Sequence, residues 1–153
     1  MEKTFVIIKP DALQRNLLGE IIGRLEKKGL KLVGLKMMSI DDLKVEEHYS
    51  HHVDKPFFAS LKKFMQSSPV VCMVWEGLES VSAIRLIAGE TKGRAADAGT
   101  IRGDLSMSIQ ANVVHVSDSP ENAVLEVKRF FADDELFKYE KLDTKYVYFG
   151  EEE

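Results

Sequence analysis

The amino-acid sequence predicts an α+β fold: a four-stranded antiparallel sheet with helices, and a long loop before the last strand. Three observations carry this expectation. Residues 4–8 and 70–75 are compact apolar runs of strand length. Between and after them, apolar residues recur at helical spacing. Residues 90–111 show no period and carry Gly93, Gly99 and Gly103; loops of that length in a compact domain are uncommon and often functional.

Taken in order, the first strand, residues 4–8, stops at Lys9-Pro10-Asp11, which reads as a turn. Ile21, Ile22 and Leu25 mark a helix that Lys27, Lys28 and Gly29 close. Residues 30–38 return to a strand pattern. Asp41 or Asp42 caps a short helix through Tyr49, and Asp54-Lys55-Pro56 opens a second with Phe57, Leu61, Phe64 and Met65 at turn spacing. Pro69 precedes the strand at 70–75. The helix at 78–88 has Val81, Ile84 and Ala88 on one stripe and Gly89 past its end. After the long loop, residues 112–116 form a short strand, and Ser119-Pro120 sets a capping hydroxyl before a proline at the first helical position. Ala123, Val127, Phe130 and Phe131 supply that helix's buried face. A short helix, an aromatic stretch (Tyr146, Tyr148, Phe149) and an acidic end at 150–153, expected to be frayed, complete one domain of residues 1–153. With the two middle helices as an insertion, the order is that of the ferredoxin-like split βαβ sandwich, expected to carry its helices on one face of the sheet.

Composition narrows the function. The 153 residues, 44% hydrophobic and 30% charged, exclude a disordered tail, a collagen-like fibre and a disulfide-stapled miniprotein. Cys72 lies in an apolar run without a second cysteine to pair with, so it reads as a buried small hydrophobe. No apolar stretch reaches the ~20 residues of a membrane span and no secretory segment follows Met1, so a cytoplasmic location away from membranes is expected. The net charge of −4 argues against bulk nucleic-acid binding, yet leaves room for a basic pocket for phosphates.

Lys9 at the exit of the first strand, Arg85 before the long loop, Arg102 inside it and His115 on the last strand fall where scaffolds place chemistry. A neutral imidazole is a competent nucleophile near neutral pH, and cations around it neutralise an incoming phosphate. Taken singly, each cation also reads as a surface charge and His115 as a satisfied half-buried residue. Periodicity alone leaves the site open. No phosphate-binding Gly-x-x-x-x-Gly-Lys-Ser/Thr segment, Gly-x-Gly-x-x-Gly run or glycine-flanked nucleophilic serine is present, and Arg102-Gly103-Asp104 is too short a match to carry weight. His48, His51 and His52 have helical spacing and form the one metal-like cluster, read as a surface histidine patch with a zinc site as the alternative.

Asn112-Val113-Val114-His115-Val116-Ser117-Asp118-Ser119 closely resembles the active-site signature of the nucleoside diphosphate kinases, Asn-x-x-His-Gly-Ser-Asp. Ile8-Lys9-Pro10-Asp11, Pro56-Phe57-Phe58, Val74-Trp75-Glu76-Gly77, Gly89-Glu90-Thr91 and Gly99-Thr100-Ile101-Arg102-Gly103-Asp104 match further blocks of that family in the same order, across residues 3–140. The resemblance implies a two-step exchange in which His115 takes the γ-phosphoryl group of a nucleoside triphosphate on Nδ1 and passes it to a different diphosphate. It also implies phosphate contacts from Arg85, Thr91 and Arg102, sugar and phosphate contacts from Lys9 and Asn112, and stacking of the base on Phe57 with Leu61 one turn on. Tyr49 matches a position near the transferred phosphate, and Ser117 and Glu126 match residues that orient the histidine. Glu126 lies about two helical turns, ~10 Å, beyond Ser119, on the same side of that helix. Mg²⁺ on the substrate phosphates and assembly into hexamers or tetramers built from a common dimer are implied too. Val116 replaces the family's glycine after the histidine, Ala12 stands where glycine is frequent, and residues 92–98 lack the family's prolines, so a more mobile loop is expected. A non-catalytic nucleotide-binding or regulatory module on the same plan is the alternative.

Overall fold

The computed structural model describes residues 1–150; the acidic end at 151–153, expected to fray, lies outside the described residues. Strand β1 (Glu2–Ile8) is the centre of the molecule, with every residue from Thr4 to Ile8 buried. A strand that is apolar at every position, not at alternate ones, is covered on both faces. The same holds for β3 (Val70–Gly77), which pairs with β1 antiparallel along its whole length. The edge strands are β2 (Lys31–Met38), beside β3, and β4 (Val114–Val116), beside β1, giving the order β2-β3-β1-β4 expected of the split βαβ plan.

The helices cover both faces, which corrects the one-face expectation. On one side α1 (Pro10–Gln14), α2 (Leu18–Lys27), α5 (Ser80–Ala88) and α6 (Ile101–Leu105) bury Ile21, Leu25, Ile84 and Ile101 against Val6, Ile8, Met73 and Trp75. On the other, α3 (Asp42–His48), α4 (Phe58–Met65) and α7 (Pro120–Phe130) bury Val45, Leu61, Met65, Val127 and Phe130 against Phe5, Ile7, Cys72 and Val74. The inserted pair α3–α4 therefore roofs the face that the two crossover helices leave open. A last short helix, α8 (Thr144–Val147), lies in the C-terminal segment, whose Phe137 amide donates to the Val33 carbonyl.

Local chemistry sets the boundaries. Lys9-Pro10-Asp11 is not a free turn but the start of α1, with proline at a first-turn position where its missing N–H costs nothing. Asp41 caps α3 through the Lys44 amide at 2.7 Å, and Ser119 caps α7 through the Asn122 amide at 3.2 Å. The segment 90–111 is more ordered than its lack of period suggested. It contains a 3₁₀ turn, Gly93–Ala95, and then α6, capped by the Thr100 hydroxyl on the Gly103 amide at 3.0 Å. Glycine is needed at 103, because a Cβ there would lie 1.9 Å from the Asp97 carbonyl oxygen. Gly103→Ala is therefore expected to destabilise the protein by about 1–3 kcal/mol, read as a lower denaturant midpoint with an unchanged m-value.

Candidate active site

β4 is shorter than the residue 112–116 run because Val113 has φ +65°, outside the strand region. The Val114 amide donates to the Asn112 carbonyl at 2.8 Å across it, a three-residue turn that costs a β-branched residue about 1–3 kcal/mol. The first strand's exit holds this turn closed: the Lys9 amide donates to the Val113 carbonyl at 2.9 Å, and Asp11 Oδ2 accepts from the Val113 amide at 3.1 Å. Sequence reasoning missed this clamp by Asp11. Its effect is to launch His115 from a fixed start, opposite Ile7 on β1.

A cleft of about 1120 Å³ opens over β4 between α4, α5 and α7. Lys9, Tyr49, Phe57, Leu61, Arg85, Thr91, Arg102, Asn112, His115 and Glu126 line it, although they come from distant parts of the chain. Ser117 does not reach the cleft; it is fully buried behind Glu126. His115 Nε2 lies 2.8 Å from Glu126 Oε1, while the Ser117 hydroxyl donates to Glu126 Oε2 at 2.5 Å. Both carboxylate oxygens are thus occupied, and the imidazole is held by one nitrogen only.

The cations are crowded. Lys9 Nζ donates to Asn112 Oδ1 at 2.6 Å, and Asn112 Nδ2 in turn donates to the Thr91 carbonyl at 2.8 Å. Arg102 is buried and donates to the carbonyls of Gly89 at 2.7 Å and Val114 at 2.9 Å, leaving its Nε without a partner. Burial, with the Arg85 charge behind it, lowers the Arg102 pKa to about 10. Burial, followed by Arg102 and opposed by Asp11, lowers that of Lys9 to about 8. Positive groups that disfavour one another's charge make a site that an anion would relieve. Two consequences of opposite sign follow for Lys9. Above about pH 8 it loses its charge, so the affinity of the cleft for a polyphosphate anion is expected to fall. The unfolded chain keeps that proton to 10.5, so between these values the unfolded state binds more protons and this group's contribution to stability rises with pH. Lys9→Met should flatten both trends, measured as tripolyphosphate Kd and denaturant midpoint across that range.

On the far side, Phe57 stands at the start of α4 and is 46% exposed, and the His52 ring meets its ring edge-on at 5.1 Å. Tyr49 is buried with its hydroxyl unpartnered, and burial pushes its pKa up. The histidine cluster is not a patch. α3 ends at His48 and a 3₁₀ turn, Ser50–His52, redirects the chain, so His51 and His52 contact each other while His48 turns inward. His48 is 5% exposed, with its ring centroid 4.4 Å from that of His115. The helical stripe Val45, His48, Tyr49 is the signal that marks it as inward-facing. Among the described residues the one group with metal-ligand spacing is His48, His115 and Glu126, not the expected trio. Val116 is accommodated as a buried strand residue paired with Val6.

Cations packed this tightly call for a polyphosphate, and the class that fold and cleft define together is the phosphotransferases. Comparison with known proteins makes the class specific. The profile of the nucleoside diphosphate kinase family matches residues 2–136. Nucleoside diphosphate kinases of Parabacteroides distasonis and Archaeoglobus fulgidus are 52% and 49% identical, over 99% and 97% of this chain and 99% and 98% of theirs. The structure of a halophilic nucleoside diphosphate kinase from Halobacterium salinarum in complex with CDP superimposes with a TM-score of 0.94 at 45% identity, over 96% of this chain and 98% of that one. The chain belongs to the nucleoside diphosphate kinase family, and its activity is nucleoside diphosphate kinase activity, which sets aside the non-catalytic alternative. Among the described residues no helix is long and apolar enough to cross a membrane.

Proposed function

We propose that the exchange runs through His115 in two half-reactions. The observation that carries this reading is the 2.8 Å contact between His115 Nε2 and Glu126 inside a cleft lined by Lys9, Arg85 and Arg102. With Nε2 carrying its proton toward Glu126, the lone pair stays on Nδ1. Nδ1 attacks the γ-phosphorus; the N–P bond forms as the bond from phosphorus to the β,γ-bridging oxygen breaks, and that electron pair leaves on the nucleoside diphosphate. The positive charge gained by the ring is shared with the Glu126 carboxylate. A terminal oxygen of a different diphosphate then attacks the same phosphorus, and the N–P pair returns to Nδ1. Little covalent work is left to the protein beyond positioning and charge stabilisation.

Arg85, Arg102 and Thr91 hold the phosphates, and Lys9 and Asn112, already joined, hold phosphate and sugar hydroxyls. The unpartnered Tyr49 hydroxyl supplies a further donor near the transferred group. The base stacks on the exposed face of Phe57 beside Leu61; stacking tolerates every base, which accounts for broad base specificity, and the reading includes breadth toward the sugar as well. The CDP complex of the halobacterial relative supports nucleoside diphosphate as one substrate. Mg²⁺ would come with the nucleotide and would supply charge neutralisation to its phosphates. The side chains fit that arrangement. Glu126 is fully engaged, Asp118 accepts from Asn122 at 2.6 Å, and among the described residues the one group with metal-ligand spacing, His48–His115–Glu126, is nitrogen-rich, which suits a hard cation poorly. The reading includes residues 1–153 as one domain, a cytoplasmic location, and a homo-oligomer, hexamer or tetramer of dimers. Leu35 and Met37, exposed on the open edge strand β2, support the last of these. No membrane or nucleic acid is required.

The test is incubation with γ-labelled ATP followed by acid or alkali. The expected label is acid-labile and alkali-stable and is chased onto any added nucleoside diphosphate. Label retained by His115→Ala would refute the nucleophile.

A further inference from the structure

We propose that Arg129 is a positioning residue: by donating to His48 Nδ1 it keeps that nitrogen bare, so that Glu126 Oε1 is left to His115. The proposal rests on the reading of His115 as the nucleophile.

Two groups contend for Nδ1 of His48. Arg129 Nη1 lies 3.3 Å from it and Glu126 Oε1 lies 3.8 Å from it. A guanidinium only donates, so Nδ1 must accept, and the His48 proton sits on Nε2. A protonated Nδ1 would instead donate to Glu126 Oε1, the oxygen that His115 Nε2 holds at 2.8 Å. Glu126 cannot offer its second oxygen to settle the competition, because the Ser117 hydroxyl already occupies it at 2.5 Å. One oxygen therefore stands between two imidazoles whose rings meet nearly perpendicular at 4.4 Å. His48 cannot swing away, since the rings of Tyr49 and Phe130 flank it at 4.6 and 5.1 Å. Arg129 is itself anchored from outside, its Nε 3.1 Å from Glu47 Oε1.

The charged and titratable groups around His48 come from several elements: His115 on β4, Glu126 and Arg129 on α7, Lys9 at the exit of β1, Glu47 and Tyr49 beside it, and His51 on the next turn. Burial, and then the positive groups His115, Arg129, His51 and Lys9, push the His48 pKa far below its ordinary value. The nearby carboxylates are Glu126, whose Oε1 lies 3.8 Å from Nδ1, and Glu47, which is paired with Arg129. Removing Arg129 deletes a repelling charge and frees the acceptor lone pair at once.

The experiment compares Arg129→Met with the wild type in single-turnover phosphoenzyme formation from γ-labelled ATP. The variant-to-wild-type rate ratio is expected to fall about ten-fold between about pH 8 and about pH 5.5, as His48 Nδ1, released from the guanidinium, takes up a proton and claims Glu126 Oε1. Arg129→Met combined with His48→Asn should keep a flat ratio, because asparagine takes no proton. Nitrogen-15 imidazole spectra supply the direct readout: a bare Nδ1 on His48 throughout that range in the wild type, and a proton appearing on it at low pH in Arg129→Met. A flat ratio in Arg129→Met with an unchanged His48 tautomer, or a protonated Nδ1 in the wild type, overturns the proposal. The spectra read His48 whichever residue takes the phosphoryl group, so failure of the nucleophile and failure of this lock are distinguished.

Discussion

His115→Ala is expected to lose at least about 10⁴-fold in turnover, the order of loss that follows deletion of a covalent nucleophile. In the proposed exchange both half-reactions pass through the same nitrogen, so phosphoenzyme formation from the triphosphate and phosphoryl delivery to the diphosphate should vanish together. Nucleotide binding should survive, because the cations and Phe57 are untouched. The fold should survive as well: the β1–β4 pairing is a backbone matter, and His115 is only partly buried. Equilibrium binding of a nucleoside diphosphate, measured beside turnover, checks the distinction. A variant that still turns over at a tenth of the wild-type rate would place the chemistry elsewhere.

The second large effect concerns Arg102. Its buried guanidinium donates to the Gly89 and Val114 carbonyls, tying them together, and in the proposed function it is also a phosphate ligand. Arg102→Met should lower kcat/KM by about 10²–10³-fold, the range for removal of one preorganised charge-stabilising donor. It should also destabilise the protein by about 2–4 kcal/mol, as two buried carbonyls lose their partner. Arg85 supplies the contrast. It is exposed on α5, so Arg85→Met should cost a comparable loss of kcat/KM with stability unchanged within about 0.5 kcal/mol. Parallel melting and kinetic measurements on the two variants separate the roles. Equal melting losses would mean that Arg85, too, holds the fold.

Much of this was visible in the residues themselves. The runs Thr4 to Ile8 and Val70 to Trp75 announced strands because a continuous apolar segment of that length has few other uses. Asp41 and Ser119 announced helix starts because their short oxygens satisfy amides that nothing else can reach. Both runs also carried the evidence for a sheet covered on two faces, since a half-exposed strand would alternate; the one-face expectation came from topology alone and overlooked it. Helix α6 escaped notice because at five residues it is too short to show a period. His48 was grouped with His51 and His52 by spacing, which assumes one uninterrupted helix; the 3₁₀ turn after Tyr49 breaks that assumption.

By itself, then, the sequence determined the longer elements, their order and the kinds of side chain available, because caps, breakers and apolar periods act over a few residues; the five-residue helices α1 and α6 lie below that range. Tertiary packing alone decided which groups share an oxygen or crowd a charge: Ser117, His115 and His48 around Glu126, Lys9 beside Arg102, Arg129 against His48. Those distances depend on how far one layer sits from the next. No local pattern encodes that separation; it follows from the volumes filling the space between sheet and helices.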